Sequence, residues 1–321
     1  MKVIIPAAGI GKRLQPLTFF LPKPLFYSGS KRIIDYVMLT LSDINIDEFI
    51  VIIGYKGDMI KEYLLLNYPD KNFSFIYQKK QNGLGDAVFQ GIEASEDKDF
   101  PFLVLLSDTI LQVNLKKFLK TKFSKLALMD VEDPKRFGVA KLDGEYVVDV
   151  IEKPENYVSN KAIVGLYYFT SSKKVYQSLK YLYEKNITTK GEIQLTDGIK
   201  KMIQDGEKFE HGEVKKWIDC GDFTTILKAN SELLKFEKLK NFIDGTSIME
   251  NSKMMKNSSI FKNTKIYNSK ISNSIIGSNV LIRKSKLVNS IVSDNSVVEG
   301  FNGTLICGEN TIIKNKQRSK R

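Results

Sequence analysis

The sequence predicts an open α/β sheet over its first 235 residues, followed by a short parallel β-helix. Three observations predict it. Short apolar runs alternate with helix-like stretches up to about residue 235. Beyond Ser247 the chain becomes rich in Asn and Ser, with Ile, Leu and Val recurring every five or six residues. No 3.6-residue period fits that second stretch.

In the first part, strands are expected at 3–6, 49–53, 73–77, 102–106, 125–129, 138–142, 147–152 and 162–169. Several are continuously apolar, as strands covered on both faces are. Helices are expected at 33–41, 58–67, 84–94 and 171–184, and a connecting helix at 232–243. Alternation of this kind builds an open sheet with right-handed crossovers, whose ligands bind at the carboxyl ends of the strands.

In the second part, Ile260, Ile266, Ile271, Ile276, Ile282, Leu287, Val292 and Val298 are spaced by 6, 5, 5, 6, 5, 5 and 6 residues. Three steps make 16, which places Ile266, Ile282 and Val298 in one file and Ile260, Ile276 and Val292 in another. A three-sided coil with one inward apolar residue per side gives this pattern. The pairs Asn257-Ser258, Asn268-Ser269, Asn273-Ser274 and Asn289-Ser290 suit its corners, because Asn tolerates left-handed backbone. The division expected is 1–235 for the first domain, 236–246 as linker, 247–313 for the β-helix and 314–321 as a basic tail. So short a stack has poorly covered ends and is expected to pack on the first domain or on another subunit.

Composition bounds the class. The 321 residues are 42% hydrophobic and 27% charged, a soluble globular balance. No apolar run reaches the ~18 residues of a membrane span, and the N-terminus lacks the features of a signal peptide. Cys220 and Cys307 have no metal-like spacing, and free thiols in a cytoplasmic protein are expected. The net charge of +12 is uneven: residues 247–321 carry +9 and the first 246 only +3. Five basic residues fall in 314–321 and are read as a solvated end, so neither a nucleic-acid nor a membrane partner is expected.

The chemistry begins where the first strand runs into Ala7-Ala8-Gly9-Ile10-Gly11-Lys12-Arg13-Leu14. Glycines there let backbone N–H groups approach phosphate oxygens. A dinucleotide fingerprint needs Gly or Ala where Leu14 stands, and a Walker loop needs Ser or Thr after its Lys, so both fail. On its own the loop is equally a plain strand–helix turn. Pro22-Lys23-Pro24-Leu25 adds a cation held between two prolines, ten residues after Arg13. Such a pair suits a leaving pyrophosphate. Asp108 follows the apolar run 102–106 and is a hard oxygen ligand suited to Mg²⁺, though helix capping explains such a carboxylate too. A second carboxylate, Asp219, lies in Trp217-Ile218-Asp219-Cys220-Gly221.

Taken in order along nearly the whole chain, these motifs resemble the sugar-1-phosphate nucleotidylyltransferase family. The set also includes Gln78 with Gly83-Leu84-Gly85, Arg136-Phe137-Gly138-Val139, Ile151-Glu152-Lys153-Pro154, Val164-Gly165-Leu166-Tyr167 and the stretch from Gly191 to Asp197. Within the family the chain is most similar to long glucose-1-phosphate thymidylyltransferases, with uridylyltransferases acting on glucose 1-phosphate as near relatives. The resemblance implies a Rossmann-like mixed sheet and a left-handed β-helix. It implies a homo-oligomer whose substrates are a nucleoside triphosphate (dTTP or UTP) and a sugar 1-phosphate. Ala8, Gly9 and Gly11 would cradle the triphosphate, with Arg13 and Lys23 as the catalytic cations. Gln78 and Gly83 would read the base. Gly138, Glu152 and Gly165 would surround the sugar, Lys153 would grip its phosphate, and Asp108 and Asp219 would hold Mg²⁺. Two departures stand out: Ser107 replaces a common Gly, and 26–31 is polar where relatives often run Leu-Pro-Val.

Two rival readings follow from the architecture. Some β-helix partners of this fold are acyltransferases that use a β-helix histidine, but the single histidine, His211, lies in the first domain and is expected at the surface near a strand. Regulatory subunits share the architecture but lose the phosphate and metal positions, which Arg13, Lys23, Asp108, Lys153 and Asp219 retain.

Overall fold

The computed structural model describes residues 1–315, so most of the basic tail lies outside the described residues. The chain packs as two units, Met1–Gly9 with Tyr36–Trp217, and Ile10–Asp35 with Ile218–Arg321. Segment 10–35 thus belongs with the C-terminal part, a grouping that no local sequence pattern announces.

The first unit is built on a nine-stranded mixed sheet. Its strands run in the order Phe73–Tyr77, Glu48–Ile53, Lys2–Ala7, Phe102–Leu105, Lys161–Phe169, Ser124–Asp130, Phe209–Glu213, Tyr146–Glu152 and Gly138–Asp143. The first four are mutually parallel, with register Val3↔Phe49, Phe49↔Phe73 and Val3↔Leu103. Ile4, Ile5, Val51, Ile52, Val104 and Leu105 are fully buried or nearly so, which explains their unbroken apolar sequence. Helices Gly57–Asn67, Leu84–Glu93 and Ser172–Glu184 match the expected ones to within a residue or so. Ser171 caps the last, its side chain accepting from Lys174 N–H.

Several elements escaped the sequence pattern. Helix Leu195–Gln204 carries Gly198, a weak helix former. There Gly is needed, because a Cβ would stand 2.8 Å from Leu179 Cδ2. His211 lies within strand Phe209–Glu213, paired to Leu126 and half-buried, rather than at the surface beside a strand.

In the second unit, the connecting helix runs Phe223–Phe236, well before the expected 232–243. Asp222 starts it with a reciprocal cap: its side chain accepts from Thr225 N–H while Thr225 Oγ1 accepts from Asp222 N–H. Residues 242–243 already form the first rung of the β-helix, parallel to Ser259–Ile260.

The β-helix follows the expected register. Ile266 pairs with Ile282 and Ile282 with Val298; Ile260 pairs with Ile276 and Ile276 with Val292. Three parallel sheets of five, five and four strands make the sides, the arrangement of a left-handed β-helix. Asn257, Asn268, Asn273 and Asn289 have φ between 44 and 64°. The serine after each Asn has its own role. Ser274 N–H donates to Ser258 Oγ at 3.4 Å, and Ser290 N–H to Ser274 Oγ at 3.0 Å. At these two corners the strand ladder is interrupted, and a buried hydroxyl of the neighbouring coil accepts the freed N–H; at Ser258 the acceptor is instead Asn241 Oδ1, at 3.1 Å. Both cysteines are buried thiols outside any disulfide. Among the described residues no helix is long and apolar enough to cross a membrane.

Candidate active site

Within the first unit, four segments leave the carboxyl edge of the parallel strands. Strand Lys2–Ala7 delivers Ala8 and Gly9; a Cβ on Gly9 would meet nothing within 4 Å, so its backbone faces open space. Gly54 follows the neighbouring strand, and a Cβ there would stand 2.9 Å from Ala8 Cβ. Gln81 Nε2 donates to Ala8 O at 2.8 Å, fixing the loop from the other side. Strand Phe102–Leu105 delivers Leu106-Ser107-Asp108. The departure at Ser107 has a use: its Oγ donates to Pro6 O at 2.7 Å, tying the turn before Asp108 to the first strand.

Gln78 ends strand Phe73–Tyr77 and is buried, its N–H donating to Ile53 O at 2.8 Å. Gly83 has φ +103°, and a Cβ there would stand 2.5 Å from Ile193 O. The turn 82–85 is stitched to the stretch around Ile193: Ile193 N–H donates to Asn82 O at 2.7 Å and Gly85 N–H to Ile193 O at 2.9 Å. That contact explains why glycines stand at 83 and 85.

The same stretch reaches the second cluster. Thr196 Oγ1 donates to Glu152 Oε2 at 2.8 Å, and a Cβ on Gly138 would stand 2.9 Å from that oxygen and 3.0 Å from Thr196 Oγ1. Gly138 and Glu152 face each other in an antiparallel pair. Lys153, with φ +43°, places Nζ 3.2 Å from Glu152 Oε1. Asp197, next to Thr196, accepts from Thr189 Oγ1 at 2.7 Å. Half-burial pushes its carboxyl above the ordinary range, against that hydrogen bond, and Glu152 adds to the rise. Gly165, at φ +81° in an irregular part of its strand, accepts from Leu106 N–H at 3.0 Å, directly beside the Asp108 turn. Gly138, Glu152 and Lys153 therefore form one group, Gln78 and Gly83 another, and Gly165 adjoins Asp108.

Within the second unit, Gly11 takes left-handed backbone (φ +68°) and opens the short turn Lys12–Leu14, which Leu14 anchors by burial. Arg13 is exposed. Lys23 is 8% exposed and opens a 3-10 turn that Pro22 caps. A Cβ on Gly11 would stand 3.6 Å from Lys23 Cβ, so loop and lysine are neighbours. At Gly221 a Cβ would lie 3.0 Å from Asp219 Oδ2 and 3.3 Å from Arg13 Nη2. Arg13 and Asp219 thus both reach the space that a side chain at Gly221 would fill.

The polar departure at 26–31 is explained in the same unit. Tyr27 stacks on Phe261 of the β-helix with centroids 3.7 Å apart, and Arg32 lies 4.2 Å over the Tyr27 ring. Buried Asn230 accepts from Gly29 N–H at 2.8 Å and from Ser259 Oγ at 2.8 Å; Ser259 Oγ is also 2.7 Å from Gly29 O. The segment carrying Arg13 and Lys23 is braced on the β-helix by residues the sequence did not mark as functional. Thr196 stands in the 191–197 motif without an expected role and Asn230 was not singled out; each acts through partners distant in sequence.

Mg²⁺ accepts one or two carboxylates and completes its shell with water and substrate phosphates. Among the described residues no group of three acidic, His or Cys side chains could hold a metal. A lone carboxylate is enough for an ion bound in that manner, and each unit presents one, Asp108 in the first and Asp219 in the second.

Comparison with known proteins agrees with this architecture. The nucleotidyl transferase family model matches residues 2–235. The bifunctional protein GlmU of Methanocaldococcus jannaschii is 36% identical over 253 residues, covering 78% of this chain and 58% of that protein. The chain thus spans little more than half the length of that relative. Agl11 of Haloferax volcanii, a low-salt glycan biosynthesis nucleotidyltransferase, is 31% identical across 75% of this chain and 68% of its own. A Bacillus anthracis chain assigned as a glucose-1-phosphate thymidylyltransferase, solved with sucrose, superposes with a TM-score of 0.62 at 25% identity, over 73% of this chain and 95% of that one. A UDP-glucose pyrophosphorylase in complex with UDP-glucose shares the fold with a TM-score of 0.64 at 24% identity, over 73% and 98%. With the family model covering well over half of its length, the chain belongs to the nucleotidyl transferase family.

Proposed function

We propose that the chain transfers a nucleotidyl group from UTP or dTTP to a sugar 1-phosphate, with glucose 1-phosphate as the first candidate, and releases pyrophosphate. One observation carries the reading: Ala8-Gly9, Gln78 and Asp108 all leave the carboxyl ends of adjacent parallel strands, where open α/β sheets bind ligands. A relative points the same way. AglF of Haloferax volcanii, named as a UTP–glucose-1-phosphate uridylyltransferase, is 28% identical over 69% of this chain and 91% of its own, which favours UTP.

In this reading the backbone of 8–11 receives the triphosphate and Gln78 with Gly83 faces the base. Glu152, oriented by Thr196, accepts from sugar hydroxyls, and Lys153 binds the sugar phosphate. An oxygen of that phosphate attacks the α-phosphorus in line. The new P–O bond forms as the α–β bridge breaks, and the electron pair leaves on pyrophosphate. Arg13 and Lys23 offset the charge that accumulates there. Asp108 and Asp219 would hold Mg²⁺, which supplies further charge neutralisation at the phosphates.

One such charge contact lowers the barrier by ~3 kcal/mol, so Lys23→Ala and Asp108→Asn should each lower kcat about a hundredfold or more. Steady-state pyrophosphate release checks this on variants shown to be folded. Rates near wild type in either would remove that residue from the mechanism.

A further inference from the structure

Gln78 is 6% exposed, and its side-chain amide is held on one side only. Nε2 donates to Asp86 Oδ2 at 2.5 Å and to Gly83 O at 3.2 Å. Among the described residues no donor reaches its Oε1. A carboxylate and a carbonyl are both acceptors. Turning the amide over would therefore set Oε1 against two oxygens, so the chemistry of the partners fixes which end faces outward.

Asp86 is itself held. It is 3% exposed, in the first turn of helix Leu84–Glu93, where the helix field favours negative charge. Gln90 Nε2 donates to its Oδ2 at 2.9 Å, and the Tyr183 hydroxyl donates to its Oδ1. Three donors converge on one carboxyl group, so both of its oxygens act as acceptors. Burial and the neighbouring Asp86 push the Tyr183 hydroxyl well above its ordinary range, which keeps Tyr183 a donor.

We propose that Asp86, held by Tyr183 and Gln90, locks Gln78 as a hydrogen-bond acceptor, and that this lock makes the site choose uracil or thymine over cytosine. Uracil and thymine present a ring N–H at N3. Cytosine presents a lone pair there, which meets Gln78 Oε1 as acceptor against acceptor. The inference rests on the reading that Gln78 faces the base. Asp86 is a positioning residue, since it acts through Gln78.

The test is kcat/KM for UTP, dTTP and CTP, with the sugar phosphate saturating, in wild type and in Asp86→Leu. Wild type should prefer UTP and dTTP. In Asp86→Leu the amide is free to turn, and the UTP:CTP ratio should fall at least about tenfold, mainly through KM for UTP, since a site built to meet an N–H discriminates strongly only while the geometry is held. Asp86→Asn should keep most of the preference, because its oxygen can face Gln78 and Gln90 while the Tyr183 hydroxyl turns to accept. If Asp86→Leu does not fold, the size-conserving pair Asp86→Asn with Tyr183→Phe, which removes that alternative acceptor, should show the same loss of ratio. A folded Asp86→Leu protein, or the folded pair in its place, that uses UTP with an unchanged UTP:CTP ratio overturns the lock. Wild type that turns over none of the three nucleotides with any sugar phosphate overturns the functional reading, and the lock falls with it.

Discussion

Gly83→Ala is the substitution whose cost follows most directly from the geometry. Gly83 has φ +103° and ψ 178°, a region that residues with a Cβ rarely adopt. Forcing alanine there costs on the order of 1–3 kcal/mol. The added Cβ would also stand 2.5 Å from Ile193 O and 2.8 Å from Glu192 Cβ. Ile193 cannot withdraw freely, because its N–H donates to Asn82 and its carbonyl accepts from Gly85. Losing those two hydrogen bonds adds ~0.5–1.5 kcal/mol each. The expected total is about 2–6 kcal/mol, a large share of a stability of roughly 5–15 kcal/mol. Urea unfolding followed by circular dichroism reads it directly. Gly9→Ala is the control: a Cβ there meets nothing within 4 Å, so stability should stay within ~0.5 kcal/mol of wild type. If the 8–11 backbone approaches phosphate, Gly9→Ala should nonetheless raise KM for the nucleotide. A Gly83→Ala protein as stable as Gly9→Ala would mean that the 82–85 turn accommodates a Cβ, against the expected clash with Ile193 O.

Two further predictions concern other parts of the chain. Ile276 is fully buried between Ile260 and Val292 in the β-helix, so Ile276→Ala should destabilise by ~2–5 kcal/mol, while Ile312→Ala, at a residue 68% exposed, should change little; thermal melts compare them. Asp197 has a carboxyl whose folded pKa is raised above the ordinary 3.8, chiefly by burial. A raised pKa gives stability that is present below the unfolded pKa and lost as pH rises through the folded value. At neutral pH the wild type therefore carries a penalty. Asp197→Asn, which keeps an acceptor for Thr189, should melt higher than wild type at pH 7, with the advantage shrinking towards pH 4. An equal or larger advantage at pH 4 would contradict the assignment.

The β-helix was legible because it repeats. A residue such as Ile282 is constrained by Ile266 below and Val298 above, so a 16-residue period carries the register itself. The parallel strands were legible because burial on both faces leaves them continuously apolar. Helix Leu195–Gln204 was hidden by Gly198, whose missing side chain serves Leu179 rather than the helix. Helix Phe223–Phe236 was placed too late because its start is set by a two-residue cap at Asp222 and Thr225, not by apolar spacing. At the candidate site the motif residues were visible, but their supports were not. Thr196 meets Glu152 across 44 positions, Tyr183 meets Asp86 across 97, and Ser259 meets Gly29 across 230. Such contacts depend on topology, which one-dimensional spacing does not encode. The polar stretch 26–31 was therefore a puzzle in sequence and an anchor in the fold.

The most direct test of the account is pyrophosphate release with Mg²⁺, measured for glucose 1-phosphate and other sugar 1-phosphates against UTP, dTTP, CTP, GTP and ATP. Release should require both substrates, give one pyrophosphate per nucleotide sugar formed, and run fastest with UTP or dTTP. Folded protein that releases none with any pair would contradict it and return the chain to the regulatory-subunit reading.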